Sequence, residues 1–226
     1  LRLVIILILT ILTACTQGPS TAEQMYEHLE KAVELEENFA AQQEPLLELE
    51  RKEKELYDEI IQKTSSEFEE SVELSRQAID IIHERRDIMD LEKESIEAAK
   101  EEFDKVTPLI EELDQEEAKE TAEQMVEAMD QRYEAYLELY ENYLQSLDLN
   151  EELYKMLQNE ELTKEKLENQ IEQVNESYDA IMAANETFNE FTRTYNDLKM
   201  KFYEQTELNI EMPEDEEEQE EQNEQE

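Results

Sequence analysis

The sequence predicts an all-α protein: an elongated antiparallel four-helix up-and-down bundle with coiled-coil-like packing. Three observations point there. The 226 residues include a single glycine, Gly18, so turns must be few. Charged residues make up 37% and apolar ones 38%, with Glu, Leu, Lys, Gln and Ala prominent; that mix suits long amphipathic helices better than sheets, which draw on alternating Val, Ile and Thr. Apolar side chains also recur at alternating spacings of three and four, the rhythm of a coiled-coil seam.

The chain opens with a different kind of segment. Leu3 to Leu12 reads LVIILILTIL, an apolar run that suits a signal-peptide core and falls short of the roughly 20 residues needed to span a bilayer. Leu12-Thr13-Ala14-Cys15 follows and resembles the lipobox: an aliphatic residue, two small ones and a cysteine. In that signal the thiol receives diacylglycerol and the cysteine becomes the first mature residue. Two acyl chains anchor stably, because each buried CH₂ contributes about 0.8 kcal/mol. Cys15 is the only cysteine, so no intrachain disulfide can form. Residues 1–14 are therefore expected to be a lipoprotein signal peptide, 15–20 a lipidated tether, 21–210 the helical bundle domain and 211–226 a disordered acidic tail. The tail lacks the apolar residues that would offset its ordering entropy.

Ser20-Thr21-Ala22-Glu23 fits a capping box, which starts the first helix. Thr64-Ser65-Ser66-Glu67 and Asp114-Gln115-Glu116-Glu117 repeat the spacing, and Thr163 can cap a fourth helix with Leu162 and Leu167 as a hydrophobic staple. The segments 20–62, 65–113, 115–157 and 163–206 are each roughly 45 residues, or about 65 Å as helices. Pro45 and Pro108 each remove a helix hydrogen bond. A rival parsing runs one helix from Pro45 to Val106, because Leu56, Ile60, Phe68 and Val72 keep nearly constant phase across residue 64. The equal-length parsing is preferred.

The clearest seams lie in the second half. Met129, Tyr133, Tyr136, Tyr140, Tyr143, Leu147, Asn150, Tyr154 and Leu157 form one row; Leu167, Ile171, Val174, Tyr178, Ile181, Asn185, Phe188, Thr192, Tyr195 and Phe202 form the other. The last two helices should pack antiparallel around the loop at 158–162.

Charge narrows the function classes. With 64 acidic against 20 basic residues the net charge is −44, which repels nucleic acid and anionic headgroups over most of the surface; as a plain reading, that acidity serves solubility. His28 and His83 build no credible catalytic or metal site and read as surface residues. There is no phosphate loop, HExxH or nucleophile elbow, so no catalytic residue, metal or cofactor is expected. Tyr133, Tyr136, Tyr140 and Tyr143 form a ladder whose rings could stack on sugars. Their spacing is that of core residues, which favours packing, with hydroxyls reaching the edge; they remain the candidates for glycan or partner contact.

Leu12-Thr13-Ala14-Cys15, Gln17-Gly18-Pro19-Ser20, Glu23-Gln24-Met25-Tyr26, Leu29-Glu30-Lys31-Ala32, Gln43-Glu44-Pro45-Leu46, Lys52-Glu53-Lys54-Glu55-Leu56-Tyr57 and Arg132-Tyr133-Glu134-Ala135-Tyr136 together resemble the YkyA-like family of cell-wall-binding lipoproteins of Gram-positive bacteria. The likeness spans most of the mature chain and departs from the family at the extreme N-terminus and in the acidic tail. It implies a lipid-anchored extracellular four-helix bundle on the outer face of the cell membrane. The expected function is non-catalytic: attachment to the membrane through Cys15 and binding of peptidoglycan. The alternative is a tethered adaptor for another envelope protein.

Overall fold

The computed structural model describes residues 19–206 and Leu208. Cys15, the segment before it and the tail 211–226 lie outside the described residues. Four long helices dominate: α1 (Thr21–Ile60), α2 (Phe68–Phe103), α3 (Glu116–Leu157) and α4 (Lys164–Gln205). Short 3₁₀ turns run from Ser65 to Glu67 and from Asp104 to Glu112. Cross-helix pairs give the direction of each rod. Glu53 meets Arg85 while His28 meets Glu102; Lys100 meets Asp130 while Arg86 meets Asp148; Arg132 meets Thr192 while Asn150 meets Tyr178. Sequential helices are thus antiparallel, and the topology is up-down-up-down.

Local chemistry accounts for the ends. At Ser20 both halves of the capping box form: Glu23 N–H donates to Ser20 Oγ at 3.2 Å and Ser20 N–H donates to the Glu23 carboxylate at 2.6 Å. Thr64 N–H donates to Glu67 at 3.1 Å, so the chain turns at 61–64 and the single helix from Pro45 to Val106 does not form. Thr163 Oγ1 accepts from Lys166 N–H at 3.4 Å. Asp114 was the expected cap of the third helix, but Gln115 holds that position without a side-chain bond.

The two internal prolines behave differently. Pro45 lies inside α1, which continues through it. Pro108 lacks an N–H and its ring crowds the carbonyl of Asp104; α2 accordingly gives way at Asp104 to tighter i→i+3 bonding, ending its α-helical part ten residues before the expected 113.

The core changes character along the bundle. Where α1 begins, Met25, Leu29, Phe103, Val106, Met125 and Phe202 are fully enclosed. Tyr26 and Tyr203 meet edge-on there at 5.3 Å between centroids, joining α1 to α4. In the middle Phe39, Tyr136 and Phe188 interlock at 5.8–6.2 Å. Arg132 lies beside them, bidentate to Glu36 at 2.7 Å per bond and 5.1 Å from the Phe188 ring.

α1 and α4 meet through side chains as far as Phe39 and Phe188, and beyond them the two helices frame an opening. Ser95 Oγ donates to the Leu35 carbonyl at 2.6 Å and accepts from Phe39 N–H at 3.2 Å, entering the i→i+4 ladder of α1, and Pro45 interrupts the ladder six residues later. Both features fall on the stretch of α1 that leads into the opening. The expected row on α4 is covered only in part. Tyr178 and Asn185 are exposed, while Ser177 and Ala184, one position earlier, are buried. Over this stretch the covered face of α4 is offset from the predicted row, leaving part of that row uncovered.

Candidate functional site

The opening between α1 and α4 is a cleft of about 480 Å³. On one side α1 contributes Lys54 and Tyr57, with Glu50 and Glu53 deeper. On the other α4 contributes Ile171, Val174, Tyr178, Ile181 and Met182; α3 closes the back with Tyr143, Asn150, Leu153 and Tyr154.

Its floor is an ion cluster centred on Arg85 of α2, which is only 4% exposed. The guanidinium donates through Nη1 to Glu53, through Nη2 to Glu50 at 3.2 Å, and through Nε and Nη2 to the Tyr143 hydroxyl at 3.0 and 2.6 Å. Tyr143 donates in turn to Glu50 Oε1 at 2.6 Å. Three helices are tied at one point, and a fork of planar donors suits this better than an ammonium would. Burial holds the Glu53 carboxyl above the ordinary carboxylate range, although Arg85 pulls it down. Burial also raises the Tyr143, Tyr154 and Tyr178 hydroxyls, with Glu53 reinforcing the last two, so these phenols remain donors at neutral pH. Tyr178 donates to Asn150 Oδ1 at 3.2 Å, linking the α4 wall to the back.

A further carboxyl lies along the same interior. Glu92, two turns beyond Arg85 on α2, is 3% exposed and, among the described residues, has the Gln43 amide as its one partner, at 2.8 Å. Burial, reinforced by Glu50, pushes its carboxyl up to about 7.

The four tyrosines of the α3 ladder do not share one surface. Tyr136 is fully enclosed, and its hydroxyl finds no partner among the described residues. Tyr143 supplies its hydroxyl to the cleft floor. Tyr133 and Tyr140 are half-buried toward α2, with Lys100 and Lys93 over their rings at 5.9 and 4.9 Å; Tyr140 donates to Asp90 at 2.6 Å. His28, expected at the surface, is partly exposed and has its Nδ1 2.7 Å from Glu102 across the α1/α2 interface. Among the described residues no group of three or more His, Cys, Asp or Glu could hold a metal, and no helix is long and apolar enough to cross a membrane.

Residues 20–205 match the family described as "YkyA: Putative cell-wall binding lipoprotein". The chain belongs to the YkyA family. It is 34% identical over 194 residues to the uncharacterized lipoprotein YkyA of Bacillus subtilis (strain 168), with 86% of each chain covered. It is also similar in fold to a conserved protein of unknown function from Staphylococcus aureus, known from a 1.6 Å crystal structure. The TM-score is 0.69 at 13% identity, over 82% of this chain and 97% of that one. At that identity the likeness bears on the fold alone. Family membership extends over the whole bundle, so it takes in the cleft together with the helices that frame it.

The residues that build the floor left a trace in the sequence. Glu53 falls in phase with Leu46, Leu49, Leu56 and Ile60, and Arg85 in phase with Ile82 and Met89. A charge at a core position demands a partner at another core position, and that rule would have paired them.

Proposed function

We propose that the protein is a non-catalytic, lipid-anchored lipoprotein on the outer face of the cell membrane that holds cell-wall polymer, peptidoglycan foremost, in the α1/α4 cleft. In this reading residues 1–14 are removed as a signal peptide, Cys15 carries the lipid, 15–20 form the tether and 211–226 trail as an acidic tail. The family's printed description supports both the anchor and the wall as destinations.

The observation that carries the reading is the position and lining of the cleft. The floor residues Glu50 to Tyr57 lie 29 to 36 residues beyond Thr21, or about 45–55 Å along α1 from its tethered end. A bundle standing on its anchor would thus present the cleft away from the bilayer. Tyr57, Tyr143, Tyr154 and Tyr178 come from three helices, and ring faces beside fixed donors and acceptors suit saccharides. The carboxylates of the floor are already engaged by one guanidinium, an arrangement suited to holding a ligand.

Co-sedimentation with purified peptidoglycan sacculi tests the proposal. The wild-type protein should pellet with them, and Tyr178→Ala should release most of it into the supernatant at a temperature where circular dichroism shows the variant fully helical. Wild type remaining in the supernatant would overturn the assignment. Retention that ignores Tyr178 would remove the cleft from it and favour a protein-binding role for that face.

A further inference from the structure

We infer that the cleft floor recognises a primary ammonium carried on a saccharide ring of the wall polymer. This rests on the cleft being the polymer site and names the group it reads. The first support is a charge inventory. Glu50 and Glu53 face the single guanidinium of Arg85, while the other cation of the lining, Lys54, is turned to Asp58 at 2.5 Å and is largely exposed. The floor thus carries one carboxylate more than its cation offsets. Glu92, buried on the same interior, adds a further carboxyl that burial and then the charge of Glu50 push up.

Hydrogen-bond capacity points to the same place. Arg85 and Tyr143 both donate to Oε1 of Glu50, and among the described residues no donor reaches Oε2. Glu50 lines the cleft and its side chain is 36% exposed, so the unpaired oxygen is available to a ligand. A neutral hydroxyl could occupy it but would leave the excess charge in place; an ammonium supplies donor and charge together. The rings of Tyr57, Tyr154 and Tyr178 add negative faces that favour a cation within about 6 Å. A phosphate would meet carboxylates, and the guanidinium that could receive it is already engaged. At longer range the net charge of −44 draws cations toward the bundle.

Isothermal calorimetry of the full chain in detergent micelles at near-physiological salt, with two β-1,4-linked tetramers, provides the test. The glucosamine tetramer should bind at least about tenfold more tightly than the N-acetylglucosamine tetramer, the value of one charge-assisted bond. Glu50→Gln should abolish that preference with little change toward the acetylated tetramer. Tyr178→Leu, which touches no ion pair, should weaken both. Equal affinities in the wild type would overturn the inference, as would a preference that survives in Glu50→Gln, since general surface acidity would then explain it. If neither tetramer bound while sacculi still pelleted the protein, the ammonium reading would fail and the polymer reading would stand.

Discussion

Charged side chains at core positions decide how the rods fit together. Arg132 reaches from α3 to Glu36 on α1 and donates to Thr192 on α4 at 3.1 Å, so one residue sets the register of three helices. Losing one partner of such a pair costs more than the pair contributes, because it strands the other charge. Arg132→Met should therefore lower stability by about 3 kcal/mol in urea unfolding, while Arg132→Met with Glu36→Leu should recover to within about 1 kcal/mol of wild type. Losses that simply add would contradict this. Glu92 gives a second prediction, in pH. Its folded carboxyl sits at about 7 because of burial and then Glu50, against an ordinary 4.5. Between those values the folded protein keeps a proton that the unfolded chain has released, so this group's stabilisation is present below about 4.5 and is lost as pH rises through 7. Glu92→Gln should thus gain on wild type as pH rises from 5 to 8, by on the order of 3 kcal/mol. A gap that stays constant or narrows would refute the assignment.

The elements are largely legible in the sequence. The capping residues Ser20, Thr64 and Thr163 announce three helix starts with local side-chain chemistry, and the structure begins helices at each. Asp114 misled by one residue, because its spacing to Glu117 matches a capping box but Gln115 takes the cap. Proline was harder to read. The same residue is tolerated inside α1 at Pro45 and ends α-helical bonding before Pro108, and no local rule separates the two. Pro45→Ala restores the missing N–H opposite the Ala41 carbonyl and should raise the urea midpoint by an amount worth about 1–2 kcal/mol. A lowered midpoint would mean that the interruption is needed for α1 to pack.

For the whole molecule, four rods of about 60 Å close at the end where α1 begins and open at the other. Apolar periodicity indicated how many rods there are and their directions, since each seam needs a neighbour to cover it. It did not indicate the opening, because a core-spaced row is read as covered. Tyr178 and Ile181 keep seam spacing yet line a cleft between α1 and α4. The ladder from Tyr133 to Tyr143 drew attention to α3 for the complementary reason: aromatic identity is visible in sequence and burial is not. We propose that the protein meets the wall at this opening and not at the outer faces of the bundle, which hydrogen–deuterium exchange with and without solubilised peptidoglycan will decide. Protection should rise in segments 50–57 and 171–182 with little change elsewhere; protection confined to the outer faces of α2 and α3, or none at all, would overturn the assignment.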